Sequence, residues 1–132
     1  MARVANALHV GIAGLGTVGA SVVRVLSQKA AELTRQCGQP IEVTAVSARD
    51  RSRDRGVDLD TAKWFDDPVE LARFDGIDVF VELMGGDEGA ARNAVVAALE
   101  AGKHVVTANK ALLAKHGVAL AEIAEAKGGL LN

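Results

Sequence analysis

Apolar residues recur along this chain in two patterns, as short continuous runs and as longer stretches with three- and four-residue spacing. The short apolar and β-branched runs predict buried strands at residues 8–13, 41–46, 77–83 and 104–107. The helical spacing predicts helices over residues 17–35, 87–101 and 109–127, the last with a possible break at His116–Gly117.

Turn residues divide these segments and add two short elements. Asp67 as N-cap and Pro68 at the first helical position predict a short helix that ends near Arg73. Residues 63–65 predict a short strand, residues 49–63 a charged loop, and residues 130–132 the first residues of a further strand. The alternation of strands and helices predicts a Rossmann-type, doubly wound α/β domain over residues 1–132, with a mostly parallel sheet and helices on both faces.

Composition narrows the class of protein. The 132 residues carry 15 basic and 17 acidic side chains, a net charge of −2, which argues against a nucleic-acid partner. No apolar stretch reaches the ~18–20 residues of a membrane span, and residues 1–10 lack the core of a secretory signal, so a cytoplasmic location is expected. Cys37 is the only cysteine, and the three histidines show no ligand spacing, so no metal site is expected.

A glycine motif follows the first predicted strand directly. In GLGTVG at residues 14–19, Gly14 permits a tight turn and Gly16 lets the backbone approach a pyrophosphate, while Gly19 lets the following helix pack closely. The free N–H groups of a helix that starts near Thr17 would face the phosphates. A structural turn without a ligand is the alternative.

The end of the second predicted strand is where NAD and NADP are usually distinguished. Arg49 comes first after the strand and would hold a 2′-phosphate, whereas Asp50 would serve the ribose diol of NAD. Other basic residues follow nearby, at Arg51, Arg53, Arg55 and Lys63. NADP is therefore the preferred cofactor, with NAD as the alternative; a solvated charge run would explain the same residues without a ligand.

Two further segments lie where ligands of open α/β sheets bind. Gly85 and Gly86 follow a strand and would let the chain pass under the nicotinamide ribose, or form a plain turn. Lys110 stands at the predicted start of a helix, where a cation costs ~0.3–1 kcal/mol. It would bind a carboxylate or ribose hydroxyl or polarise a carbonyl, unless the helix starts elsewhere and the lysine only faces solvent.

Three segments together resemble homoserine dehydrogenase, and the resemblance covers roughly residues 8–132. They are residues 14–19 (GLGTVG), 79–86 (VFVELMGG) and 102–114 (GKHVVTANKALLA), the last followed by His116–Gly117. The family interconverts aspartate 4-semialdehyde and homoserine with NADPH or NADH, in the biosynthesis of threonine, methionine and isoleucine.

The resemblance implies a role for each matching residue. The pyrophosphate would be held by Gly14, Leu15, Gly16, Thr17, Val18 and Gly19. Arg49 matches the arginine of NADP-using members, and Thr107, Ala108 and Asn109 would border the nicotinamide. Lys110 matches a lysine at the junction of cofactor and substrate that is important for catalysis.

The family's enzymes continue into a substrate-binding and dimerisation domain that is absent from this chain. The chain is therefore expected to be the cofactor domain of a monofunctional enzyme, inactive alone, whose parent binds the small-molecule substrate and forms a homodimer or higher oligomer. A stand-alone dinucleotide-sensing module and the cofactor domain of another semialdehyde or amino-acid dehydrogenase are the alternatives.

Overall fold

A single parallel sheet forms the centre of the computed structural model, which describes residues 7–85 and 89–132. Its strands are β1 (Leu8–Ala13), β2 (Ile41–Ser47), β3 (Lys63–Phe65), β4 (Val79–Glu82) and β5 (His104–Thr107). They are ordered β3-β2-β1-β4-β5, and every neighbouring pair is parallel. The strand order therefore reverses between β1 and β4, and ligands of such sheets bind beyond the carboxyl ends at that point. This confirms the predicted Rossmann-type fold.

Five helices connect and cover the strands: α1 (Thr17–Gln28), α2 (Ala30–Cys37), α3 (Pro68–Arg73), α4 (Ala90–Glu100) and α5 (Lys110–Lys127). The prediction of one helix over residues 17–35 was wrong, because Lys29 leaves the helical range at φ −108° and ψ 24°. Its N–H still donates to the Val25 carbonyl and its carbonyl accepts from Leu33, at 2.9 Å each. Hydrogen bonding and apolar spacing thus run through the kink, so the sequence pattern does not reveal it.

The possible break at His116–Gly117 was also wrong, since α5 is continuous. A glycine inside a helix costs only ~1 kcal/mol, and the buried residues Leu112 and Leu120 hold α5 on both sides of it. The strand predicted over residues 77–83 is shorter, and the first residues of the helix predicted over 87–101 lie outside the described part of the chain. Leu131 forms an isolated parallel bridge with Val105, within the segment where the further strand was predicted.

The sheet separates two apolar layers. Alternate side chains of a strand point to opposite faces, so Ile12 joins the layer under α1, whereas Ala13 joins the layer under α3, α4 and α5. The first layer contains Val10, Ile12, Leu15, Val23 and Val46. The larger second layer includes Phe80, Leu71, Leu99, Leu112 and Leu120 with several alanines of α4. Burial on both faces explains why the strands are continuous apolar runs.

Candidate functional site

A cleft of about 580 Å³ opens at the carboxyl end of the sheet, where the strand order reverses. Its lining comes from the β1–α1 turn, the ends of β2 and β4, and the loops after β2 and β3. The lining residues are Gly14, Leu15, Gly16, Ser47, Ala48, Arg49, Arg53, Arg55, Asp66, Pro68, Leu83, Met84, Gly85, Ala90 and Ala91. The fold therefore brings the glycine motif and part of the basic loop to one cavity.

The three motif glycines differ in what surrounds them. Gly14 has φ +101°, and a Cβ there would lie 2.7 Å from the Leu83 carbonyl oxygen, so only glycine fits the turn. A Cβ on Gly19 would lie 1.9 Å from the Gly14 carbonyl oxygen, because α1 packs directly on its own entry turn. A Cβ on Gly16 would meet no atom within 4 Å. Gly16 thus borders open cleft, and the other two glycines serve close packing.

The N-terminus of α1 presents its backbone N–H groups without a side-chain cap. Gly16 is the N-cap, and no acidic residue stands in the first turn. By contrast, the N-cap side chains of Asp67 and Asn109 accept hydrogen bonds from N–H groups of α3 and α5. Unsatisfied N–H groups and the positive end of the helix dipole make such a terminus suited to an anion. Thr17 and Val18, the first residues of α1, are exposed beside it.

The basic residues of the loop after β2 differ in whether they line the cleft. Arg49, Arg53 and Arg55 line the cleft. The Arg55 guanidinium also donates from Nε to the Leu15 carbonyl, at 3.2 Å, which ties this loop to the glycine turn. Arg51 does not line the cleft; its guanidinium stacks over the Trp64 ring at 5.8 Å.

Two other charged residues near this loop are engaged away from the cleft. The Lys63 ammonium lies over the Phe65 and Phe74 rings, at 5.1 and 5.0 Å. Asp50 is exposed, and its Oδ1 accepts from the hydroxyl and the N–H of Ser52, at 2.7 and 3.0 Å. These hydrogen bonds from Ser52 lower the pKa of Asp50. Asp50 is thus held within its own loop and does not line the cleft.

A second cavity of about 170 Å³ adjoins the cleft and shares Leu83, Met84 and Gly85 with it. Val18, Ala108 and Asn109 complete its lining with Glu82. Gly85 has φ +85°, and a Cβ there would meet no atom within 4 Å. Gly86 lies outside the described residues.

Lys110 is the first residue of α5, as the sequence predicts. Asn109 is the N-cap, and its Oδ1 accepts from the Leu112 N–H at 3.0 Å. The Lys110 side chain is exposed, and Lys110 itself lines neither cavity, although its neighbour Asn109 lines the second one. The side chain makes no hydrogen bond or ion pair with the described part of the chain. A cation therefore stands at the positive end of the α5 dipole, and no side chain of residues 7–85 or 89–132 pairs with it.

Sequence reasoning left the role of Glu82 open. This carboxylate is fully buried at the end of β4 and accepts hydrogen bonds from Met84, Gly85 and Thr107. Sequence reasoning also missed Ser47 and Asp66 in the cleft. Their position depends on β3 lying beside β2, and no motif marks that pairing.

Residues 7–85 and 89–132 contain neither a metal-binding cluster nor a membrane-spanning helix. No group of three or more His, Cys, Asp or Glu side chains is arranged to hold a metal ion. Among the helices in this range, none combines the length and apolar character that crossing a membrane requires.

The sequence matches a family model described as the homoserine dehydrogenase, NAD binding domain, over residues 14–131. The homoserine dehydrogenase of Pseudomonas aeruginosa is 46% identical over 123 residues, which are 92% of this chain and 27% of that protein. That of Neisseria gonorrhoeae is 41% identical over 118 residues, 89% of this chain and 27% of that protein. The chain thus spans about 27% of the length of these relatives.

Solved structures agree with the sequence matches. A homoserine dehydrogenase from Thiobacillus denitrificans superimposes with a TM-score of 0.87 at 39% identity, covering 96% of this chain and 29% of that one. The S. aureus homoserine dehydrogenase at pH 8.5 gives a TM-score of 0.86 at 32% identity, covering 96% and 32%.

Proposed function

The chain belongs to the family of homoserine dehydrogenase NAD-binding domains, and from that premise we propose that its cleft binds NADPH. A nicotinamide dinucleotide is the cofactor class of the family. The proposal has three parts. They are the preference for NADPH over NADH, the residues that hold the cofactor, and the reaction of the whole enzyme. When bound, the cofactor supplies a hydride.

The uncapped N-terminus of α1 at Gly16 is the observation that carries the proposal. A pyrophosphate needs N–H donors and room for its oxygens, and the space beside Gly16 is free of any atom that a Cβ would meet. The carbonyl of Ser47 accepts from the Gly14 N–H at 2.8 Å and fixes this turn against the end of β2. The residues present therefore fit the group that the family implies.

The arginines support NADPH over NADH. Arg49, Arg53 and Arg55 line the cleft at the end of β2, where the adenosine ribose of a dinucleotide lies. A guanidinium pairs well with the dianionic 2′-phosphate. The competing acid, Asp50, is outside the cleft and engaged by Ser52. We assign the 2′-phosphate to Arg49, with Arg53 beside it.

The second cavity is the proposed nicotinamide site. Gly85, Ala108 and Asn109 line it, and Thr107 supports it from behind through Glu82. Lys110 directly follows Asn109 in the chain; its ammonium-bearing side chain is exposed and does not itself line the cavity. In the parent enzyme this ammonium would hold a substrate oxygen near the site of hydride transfer between aspartate 4-semialdehyde and homoserine.

Partners and location follow from the same proposal. The parent enzyme is proposed to be a cytoplasmic homodimer or higher oligomer in the route to threonine, methionine and isoleucine. Its substrate site is assigned to a domain beyond the single dinucleotide domain of residues 1–132, because the matched part makes up only 27% of the length of these relatives. We therefore expect cofactor binding but no measurable turnover from these 132 residues.

Isothermal titration of the folded chain with NADPH, NADH and 2′,5′-ADP tests the proposal. We expect binding of NADPH and of 2′,5′-ADP, and weaker binding of NADH. Absence of heat with both reduced cofactors, on protein whose circular dichroism shows the helices, would remove the proposed function. A sensing module would bind the cofactor equally well, so binding alone does not separate the two functions. A turnover assay on the full-length parent enzyme separates them, because only a dehydrogenase would oxidise homoserine.

A further inference from the structure

Glu82 joins the two loops that border the second cavity. Its Oε2 accepts from the N–H groups of Met84 and Gly85, at 2.7 and 3.1 Å, and so shapes the loop after β4. Its Oε1 accepts from the Thr107 hydroxyl at the end of β5, at 2.7 Å. One carboxylate thus fixes both loops to each other.

A relay of hydrogen bonds continues from Thr107 to the start of α5. The Thr107 Oγ1 accepts from the Asn109 N–H at 2.9 Å, and the Asn109 Oδ1 accepts from the Leu112 N–H at 3.0 Å. Lys110 lies between these two anchored positions. Its backbone is therefore held by a chain of contacts that begins at Glu82.

A buried carboxylate is a costly way to join two loops. Its burial must be offset by hydrogen bonds, and apolar residues of similar size often stabilise a fold as well or better. At Glu82 three donors meet the two oxygens, and all three belong to residues in or beside the second cavity. The placement therefore serves the geometry of that cavity more than the stability of the sheet.

We infer that Glu82 is a positioning residue, which sets the nicotinamide half of the cofactor site and the place of Lys110. This inference rests on the proposed function, because it assumes that the second cavity receives the nicotinamide. Glu82 acts through the loop at residues 84–85 and through Thr107, and it needs no contact with the cofactor. The adenosine half of the site does not depend on it.

Two variants interrupt the relay at different points. Glu82→Gln keeps the shape, and its single amide oxygen is needed by the N–H groups of Met84 and Gly85. Its NH₂ group then faces Thr107 and can only donate, so the Thr107 hydroxyl loses its acceptor. Thr107→Val removes the hydroxyl and keeps the branched shape, while Thr107→Ser keeps the hydroxyl and should behave like the original chain.

Matched controls lie away from the second cavity. Asp78→Asn changes a carboxylate just before the same strand, where Asp78 accepts from the His9 N–H at 2.9 Å. Thr44→Val removes a hydroxyl that donates to the Gly76 carbonyl at 3.0 Å. Asp78→Asn removes a negative charge but keeps an oxygen that can accept from His9, whereas Thr44→Val removes its hydrogen bond. Neither change touches the second cavity, so the two controls report the effects of lost charge and lost stability.

Each variant is titrated with NADPH and with 2′,5′-ADP, which lacks the nicotinamide, and the fluorescence of bound NADPH is recorded. We expect Glu82→Gln and Thr107→Val to weaken NADPH binding by about tenfold and to reduce its fluorescence enhancement, with 2′,5′-ADP binding unchanged. Thr107→Ser and both controls should keep the original ratio of the two affinities.

Equal losses for both ligands, or no loss, would overturn the role of Glu82. If Glu82→Gln does not fold, the comparison of Thr107→Val with Thr107→Ser decides the question. Failure of the unaltered chain to bind either ligand would instead overturn the proposed function.

Discussion

Gly16 and Gly19 allow binding and folding to be separated within one motif. The two residues stand three positions apart at the start of α1, yet their surroundings are opposite. Gly16→Val should weaken cofactor binding and leave the domain folded. Gly19→Ala adds less volume but should destabilise the domain, because its methyl group has no space.

The structure gives the size of each effect. The Gly16 backbone, at φ −71° and ψ −159°, has a negative φ and lies at the edge of the extended region that valine adopts. Valine is a poorer N-cap residue than glycine, which lowers the stability. Replacing glycine also reduces the entropy of the unfolded chain, which raises it. The two effects partly cancel, so the free energy of unfolding should change by less than ~1 kcal/mol. The side chain enters the cleft, and overpacking of about 1–3 kcal/mol corresponds to a roughly 5- to 150-fold loss of affinity.

The methyl group of Gly19→Ala meets backbone instead of open space. Its Cβ would stand 1.9 Å from the Gly14 oxygen, far inside the 3.4 Å of ordinary contact. Because both partners are main chain, the turn itself must move, at a cost of about 3 kcal/mol. For a domain of this size that is a fall in Tm of roughly 10 °C.

Thermal denaturation followed by circular dichroism measures the Tm, and titration with NADPH measures the affinity, on the same samples. Gly117→Ala is a suitable control, since Gly117 lies inside α5 in open surroundings and should gain stability from the substitution. Normal NADPH affinity in Gly16→Val would refute the assignment of the pyrophosphate to this loop. An unchanged Tm in Gly19→Ala would refute the close packing of α1 on its entry turn.

Three other predictions concern charged residues around the site. Arg49→Ala should weaken NADPH binding about tenfold, as measured by titration, and should change NADH binding little. Arg51→Ala is the control, because Arg51 stacks on Trp64 and does not line the cleft. Equal losses for both cofactors would show that Arg49 does not contact the 2′-phosphate. Lys110→Ala should stabilise the domain by ~0.3–1 kcal/mol in urea denaturation, since it removes a cation from the start of α5; a lower stability would mean that the lysine has a structural partner. Ser52→Ala should raise the pKa of Asp50 towards its ordinary value of 3.8, because the lowered pKa comes first from the Ser52 hydroxyl and then from its N–H. The Asp50 contribution to stability is present above pH 3.8 and is lost as the pH falls through the lowered value, and the carboxyl carbon shift in an NMR titration shows whether the midpoint moves.

Local patterns were enough to predict the strands and the starts of α1 and α3. The run from β1 through the glycine motif into α1 carries its own signals, and Asp67 caps α3 with the predicted hydrogen bond to Val69, at 2.9 Å. Lys110 is likewise the first residue of its helix. These features depend on residues close together in the chain, so the sequence contains the information directly.

Features that depend on distant residues were not predictable in the same way. The sequence shows an alternating run of arginines, but it does not show that Arg51 and Arg55 both lie over the Trp64 ring of β3 and that only Arg55 also lines the cleft. Glu82 could not be assigned from the sequence, because its partner Thr107 is 25 residues away. Only the pairing of β4 with β5 brings these two side chains together.

The separation of the core into two apolar layers has a consequence for how the sequence can drift. Val23 of α1 and Leu120 of α5 are buried on opposite sides of the sheet and belong to different clusters. Substitutions at such a pair share no neighbours, so their free energies of unfolding should add within ~0.5 kcal/mol. Each face of the molecule can therefore accumulate compensating changes independently, while the strands between them keep the ligand-facing edge in register.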